Sequence, residues 1–235
     1  MKLNAIMPIE STEVLTAINP RNWEYVDVAD QAIMTKFQNV MAIYAENGNR
    51  IGRQIIKEIY RCDIGEGVIA TIIWGYPKGR YPGGKGFNAV FAQVPEIAFI
   101  LEDAKTRKGN ITADEICYRL SRIAGMGIST YTKMLYLSDT VVEEGVCLIY
   151  DQMVMRAISR SQDPELLAIG RRLGPCIRKQ KDGKDGYYTY PAAIQEATYG
   201  PFLRAVGSIA LRDGQHPADV EQALFLEAPS GRLAA

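Results

Sequence analysis

The sequence predicts an all-α fold, and three observations carry that prediction. Apolar residues recur at helical spacing over most of the chain. Strand-like alternation is nearly absent, so strand content is expected near zero. At Ile123-Ala124-Gly125-Met126-Gly127-Ile128-Ser129 one helix ends, two glycines flank one apolar residue, and another helix starts. That arrangement reads as a helix-hairpin-helix element. Glycines admit backbone angles closed to other residues, and the N–H groups opening the second helix are left free for a phosphate.

The elements follow in chain order. Ala29, Ala32, Ile33, Phe37, Val40, Met41 and Tyr44 set a helix over 29–46, which Asn47-Gly48-Asn49 breaks. Ile51, Ile55, Ile56, Ile59 and Tyr60 make a second helical run. Val68 to Trp74 reads as a buried helix, although its β-branched residues also suit a strand. Glycines and prolines make 75–87 an irregular loop. Residues 87–105 are helical, with Pro95 starting a fresh turn. Thr112-Ala113-Asp114-Glu115 is a capping box that opens a helix to Ile123. After the hairpin a helix runs from Ser129 to Leu137. Val141 to Tyr150 is extended and leads to Asp151. Helices follow over 151–160 and from Pro164 to Leu173, then a polar exposed loop over 178–188, then helices over 190–211 and 217–227.

Composition bounds what such a chain can do. With 235 residues, 47% of them hydrophobic, it can bury one sizeable core. A single domain over 1–235 is expected, with one lobe from about 25–75 plus 152–235 and a second over about 76–151. Lys and Arg (27) balance Asp and Glu (27), which weighs against tight, non-specific nucleic-acid binding but leaves room for a local basic face. Cys62, Cys117, Cys147 and Cys176 are too far apart for a zinc or iron–sulfur site and read as free thiols. His216 is the sole histidine, so a His-based metal site or a Ser-His-Asp triad is not expected. No metal or organic cofactor is implied. The first residues lack a secretory h-region, and the longest apolar stretch, Val68–Trp74, is too short for a bilayer, so a cytoplasmic protein without a membrane partner is expected.

Several residues admit two readings. Asp151 stands at a helix start, where Asp is a favoured cap; a carboxylate there also stabilises positive charge on a nearby sugar. Lys78, Arg80 and Lys85, with Tyr76 and Tyr81, make loop 75–87 either a nucleic-acid-probing loop or a solvated surface loop. Arg171, Arg172, Arg178, Lys179, Lys181 and Lys184 are either a phosphate-contacting stretch or a solvated face. Trp74, Tyr187, Tyr188 and Tyr190 either line a base pocket or pack ordinarily.

The hairpin at Gly125-Met126-Gly127, with Asp151 in Leu148-Ile149-Tyr150-Asp151-Gln152-Met153-Val154 and the helix after it, resembles the helix-hairpin-helix DNA glycosylase superfamily, within it the 8-oxoguanine DNA glycosylase-like branch. Tyr199-Gly200-Pro201-Phe202-Leu203-Arg204-Ala205-Val206 carries a weaker echo. The chain is also similar to small bacterial proteins of that fold, some of which accompany antiphage signalling operons, and to queuosine-pathway relatives. The resemblance implies two helical lobes flanking a cleft and a hairpin that grips the backbone of a nucleic acid, most naturally DNA. It implies a purine-like base, of a strand or of a modified nucleoside, held in the cleft, and Asp151 as the catalytic carboxylate. Bifunctional relatives carry an attacking lysine two residues after the second hairpin glycine, where this chain has Ser129; Lys133 lies a full turn on, about 6 Å of rise. Base release without strand cleavage is therefore expected. By the Tyr199 echo, Arg204 and Ser208 take the places of the base-reading Gln and the stacking Phe. The alternatives are an inactive nucleic-acid-binding module, or a defence accessory with protein partners from its operon.

Overall fold

The computed structural model describes residues 15–80, 86–174, 177–181 and 184–227, with residues 177–181 and 184–189 described as backbone alone. The chain is all-α. Its helices are α1 (Gln31–Glu46), α2 (Arg53–Cys62), α3 (Ile64–Gly75), α4 (Asn88–Phe91), α5 (Val94–Arg107), α6 (Ala113–Ser121), α7 (Ile128–Leu137), α8 (Gln152–Ile158), α9 (Pro164–Leu173), α10 (Ala192–Asp213) and α11 (Pro217–Glu227).

Local chemistry explains the starts. The Asp30 carboxylate accepts from the Ala32 N–H at 2.8 Å and opens α1, which buries Ile33, Phe37, Val40 and Tyr44. Asp63 accepts from the Glu66 N–H at 2.9 Å and opens α3. Residues 65 and 67–73 of α3 are all buried, as expected of a helix apolar on every side that packs against α1, α2, α5 and α7. Gly67 lets the Tyr60 ring of α2 lie where a Cβ would be only 2.4 Å from ring carbons. Pro95 stands in the first turn of α5. Thr112 accepts from the Glu115 N–H at 3.1 Å at the start of α6, but the Glu115 carboxylate turns to Arg107 instead of closing the capping box.

Strand content is low but not negligible. Among the described residues three antiparallel ribbons form: β1 (Thr16–Ala17) with β2 (Arg50–Ile51), β3 (Val141–Val142) with β4 (Gly145–Val146), and β5 (Ile177–Lys181) with β6 (Lys184–Thr189). The last replaces the loop expected over 178–188. Its register pairs Arg178 with Tyr188 and Lys179 with Tyr187, with an irregularity before Lys181. The stretch holds Asp182-Gly183, a dipeptide that favours tight hairpins, and polar composition hid the signal. The extended run expected over 141–150 instead doubles back on itself as β3–β4, and residues 147–150 then lead into α8 without regular structure.

A contiguous apolar core links the helices. At its centre for the present purpose is Tyr199 of α10. Its hydroxyl donates to the Leu148 carbonyl (3.0 Å) and accepts from the Leu148 N–H (3.3 Å), fixing the segment that leads into Asp151. The Tyr150 N–H donates to Thr132 Oγ1 of α7 at 3.1 Å, tying the same segment to the helix after the hairpin. Among the described residues no helix is long and apolar enough to cross a membrane.

Candidate active site

Asp151 is the N-cap of α8. Its Oδ1 accepts from the Met153 N–H (2.9 Å) and the Val154 N–H (3.2 Å). Its other oxygen, Oδ2, faces Lys133 Nζ at 3.3 Å. Burial alone would push this carboxyl up, but the Lys133 charge and the two backbone donors more than offset it and hold Asp151 below the usual carboxylate range. It is therefore a largely buried carboxylate that is held in its charged form at neutral pH.

Lys133 lies one turn beyond Ser129 on α7. Helical side chains lean toward the N-terminus, and the lysine amine reaches back to the Ser129 carbonyl at 2.9 Å. The side chain thereby holds its amine between that carbonyl and Asp151. Both members of the pair are mostly buried, with side-chain exposures of 14% and 15%.

Two cavities meet at this pair. One, about 720 Å³, is lined by Arg122, the hairpin residues Gly125 to Ser129, and Gln152, Met153 and Gln195. The other, about 830 Å³, lies between α2, the end of α3, α7 and α11, with Arg53, Lys57, Trp74, Tyr136, Gln222 and Phe225 in its wall. Gly75, Lys133 and Asp151 line both.

The hairpin turns at Gly125, whose φ of +81° lies in the left-handed region. Gly127 differs: with φ of −111° and ψ of 168° it is ordinary extended backbone. A Cβ there would meet nothing within 4 Å. Only the first glycine is demanded by the turn; the second leaves open space at the start of α7, which has no side-chain cap.

Arg53 in the wall of the second cavity belongs to a buried ion pair that reasoning from sequence missed. Glu221 of α11 is fully buried and takes Arg53 in a two-pronged pair at 3.0 and 3.4 Å. Burial outweighs the arginine and pushes this carboxyl up to about 7. The Arg53 guanidinium lies 5.1 Å from the Tyr136 ring centre, and Lys57 Nζ lies 4.5 Å from the same ring. Arg53 and Glu221 are separated by most of the chain, and no local pattern announces their pairing. The Trp74 indole N–H is buried without a protein partner.

Of the residues expected at a site, Gly125, Met126, Gly127, Ser129, Lys133 and Asp151 come together, and Trp74 lines the second cavity. Arg204 and Ser208 line neither. Arg204 is exposed and pairs with Glu144 at 3.4 Å, and Ser208 is exposed. α10 turns Tyr199, Phe202, Leu203 and Val206 inward, which puts Arg204 and Ser208 on its outer face. The wall where they were expected is supplied by α11. Lys78 and Arg80 are exposed and line neither cavity, although Tyr76 before them is tied to Thr130 of α7 by a 2.6 Å hydroxyl contact. Lys85, Tyr81 and Cys176 lie outside the described residues, as do the side chains of 177–181 and 184–189.

Residues 17–225 match the model of a family described as "Putative 8-oxoguanine DNA glycosylase OGG-like protein". The chain belongs to this OGG-like family. The matched span contains both cavities' ionisable residues, from Arg53 through Lys133 and Asp151 to Asp219, and the buried Glu221 beside them. No curated protein and no solved structure matches the chain.

Proposed function

We propose that this OGG-like protein is an N-glycosylase that releases a purine-like base from its sugar, with Asp151 as the carboxylate that stabilises positive charge developing on the sugar. One observation carries the reading. The Lys133–Asp151 pair stands where the hairpin-lined cavity and the cavity behind it meet. Sugar and phosphate on the hairpin side, and base among Trp74, Tyr136, Gln222 and Phe225, would bring the glycosidic bond to the carboxylate. Preorganised charge in a water-poor site is the strongest lever on such a bond. Lys133 and the α8 backbone keep that charge in place over the whole physiological pH range. With Ser129 where bifunctional relatives carry lysine, water takes up the sugar cation and the strand stays intact.

One distance favours a second reading. Lys133 Nζ is 3.3 Å from Asp151 Oδ2, so the amine stands at the same place as the carboxylate. Once neutral, its lone pair could form the bond to the sugar carbon as the bond to the base breaks; the base would leave with that electron pair and pick up a proton. The attached amine loses a proton, and the bond from the same carbon to the ring oxygen then opens, the oxygen taking up a proton, to give a Schiff base that borohydride traps.

The test is release of free base from oligonucleotides carrying oxidised, alkylated or deaminated purines, followed by chromatography, with and without borohydride. Release without a trapped adduct supports attack by water. Release with an adduct that disappears in Lys133→Ala supports the amine. Binding without release from any substrate supports a non-catalytic binding module.

A further inference from the structure

The hairpin cavity is lined by few ionisable groups. Lys133 and Asp151 neutralise each other, and Arg122 is the remaining formal charge in its wall. Among the described residues Arg122 has no carboxylate partner. Its Nη1 donates at 2.7 Å to the hydroxyl of Tyr118, one turn back on the same helix end. The guanidinium carbon lies 5.5 Å from the centre of the Tyr118 ring. That ring is 62% exposed; Phe99, at 66%, is as open but has no cation beside it among the described contacts.

We infer that Arg122 and Tyr118 form a strand contact beside the hairpin, Arg122 taking a backbone phosphate and Tyr118 stacking on an unpaired base next to the target. The inference rests on the glycosylase reading for its placement, and deepens it: the substrate is a base in a continuous strand opened next to the target, not a free nucleoside. Three features support it. A lone cation in a cavity wall draws an anion, and an arginine fork matches phosphate. An exposed ring beside it offers a stacking face, which suits unpaired bases of any identity. A guanidinium already held against the ring and bonded to its hydroxyl is preorganised, so less side-chain entropy is lost on binding. The chain's zero net charge makes such a local contact more consequential than diffuse attraction.

The experiment is equilibrium binding of a short, undamaged, labelled oligonucleotide, single-stranded and as a duplex, at graded salt. Both side chains are at the surface, so Tyr118→Ala and Arg122→Gln are expected to fold normally. The wild type binds the single strand more tightly than the duplex. Tyr118→Ala weakens single-strand binding roughly tenfold and duplex binding little. Arg122→Gln lowers the slope of log affinity against log salt by about 0.7 on the single strand. An unchanged slope in Arg122→Gln, equal losses on both forms in Tyr118→Ala, or no strand binding by the wild type would each overturn the inference. Because the oligonucleotide is undamaged, these outcomes are independent of whether any base is released, and a failure of the glycosylase reading leaves them readable.

Discussion

Asp151 was legible as the cap of α8, and its catalytic role is proposed because two rules converge on it. A helix cap and a charge-stabilising carboxylate both require Asp at a helix start. Lys133 was harder to read. Counting residues places it a turn beyond the expected lysine, whereas the side chain's reach and lean bring its amine to Asp151 at 3.3 Å. Glu221 was invisible, because only the placement of α11 against α8 and α10 brings it to Arg53. Its titration yields a prediction. Folding raises Glu221 from an ordinary value of 4.5 to about 7. Between those values the folded state binds more protons than the unfolded one, so this group's contribution is full below the lower value and is lost as pH rises through the higher. Thermal melting followed from pH 4.5 to 8 should show wild-type stability falling across that window relative to Glu221→Gln. Parallel curves for the two proteins would mean that Glu221 is not held up by burial. Asp151 acts in the opposite sense: its contribution is present above the ordinary carboxylate range and is lost as pH falls through its depressed folded value.

At the scale of elements, the helices were readable from spacing and caps, and α1, α3, α9 and α11 stand close to where periodicity puts them. What spacing could not supply was the rotation of α10. Arg204 faces outward because Tyr199 and Phe202 must face inward, and a loose sequence echo does not fix which face of a long helix meets the core. The β5–β6 ribbon was missed for a different reason, since its residues are polar and show no apolar alternation to mark two strands. The hairpin between α6 and α7 makes the sharpest element-level prediction. Gly125→Ala forces a side chain into the left-handed region and against Val90 Cγ2 at 3.4 Å, and should cost about 1–2 kcal/mol of stability. Gly127→Ala keeps an allowed backbone and meets no atom, so its cost should be under about 1 kcal/mol. It nonetheless places a methyl group where a phosphate would approach the start of α7, and should weaken nucleic-acid binding. Denaturant unfolding and binding measured on both variants separate the roles. Equal stability losses would contradict the geometry of the turn.

For the whole molecule, the proposed function divides sugar and base between the hairpin-lined cavity and the cavity behind it. Neither is evident in composition, because each is assembled from helices far apart in sequence. Phe225 is 37% exposed at the wall of the second cavity. Phe225→Ala should therefore change stability by under about 1 kcal/mol while weakening capture of the base; a loss typical of core truncation, about 3–5 kcal/mol, would place the ring in the fold's interior instead. The balanced charge of the chain, 27 against 27, also makes binding dependent on local contacts at the hairpin. The most direct measurement of the central claim is single-turnover base release by wild type and Asp151→Asn, with binding curves for both. Asn keeps an oxygen to cap α8, so the fold and strand binding should survive. Release should fall roughly 100-fold or more, the scale on which loss of one preorganised electrostatic group is felt. Equal release by the two proteins would contradict the assignment of Asp151 as the charge on which the reaction depends.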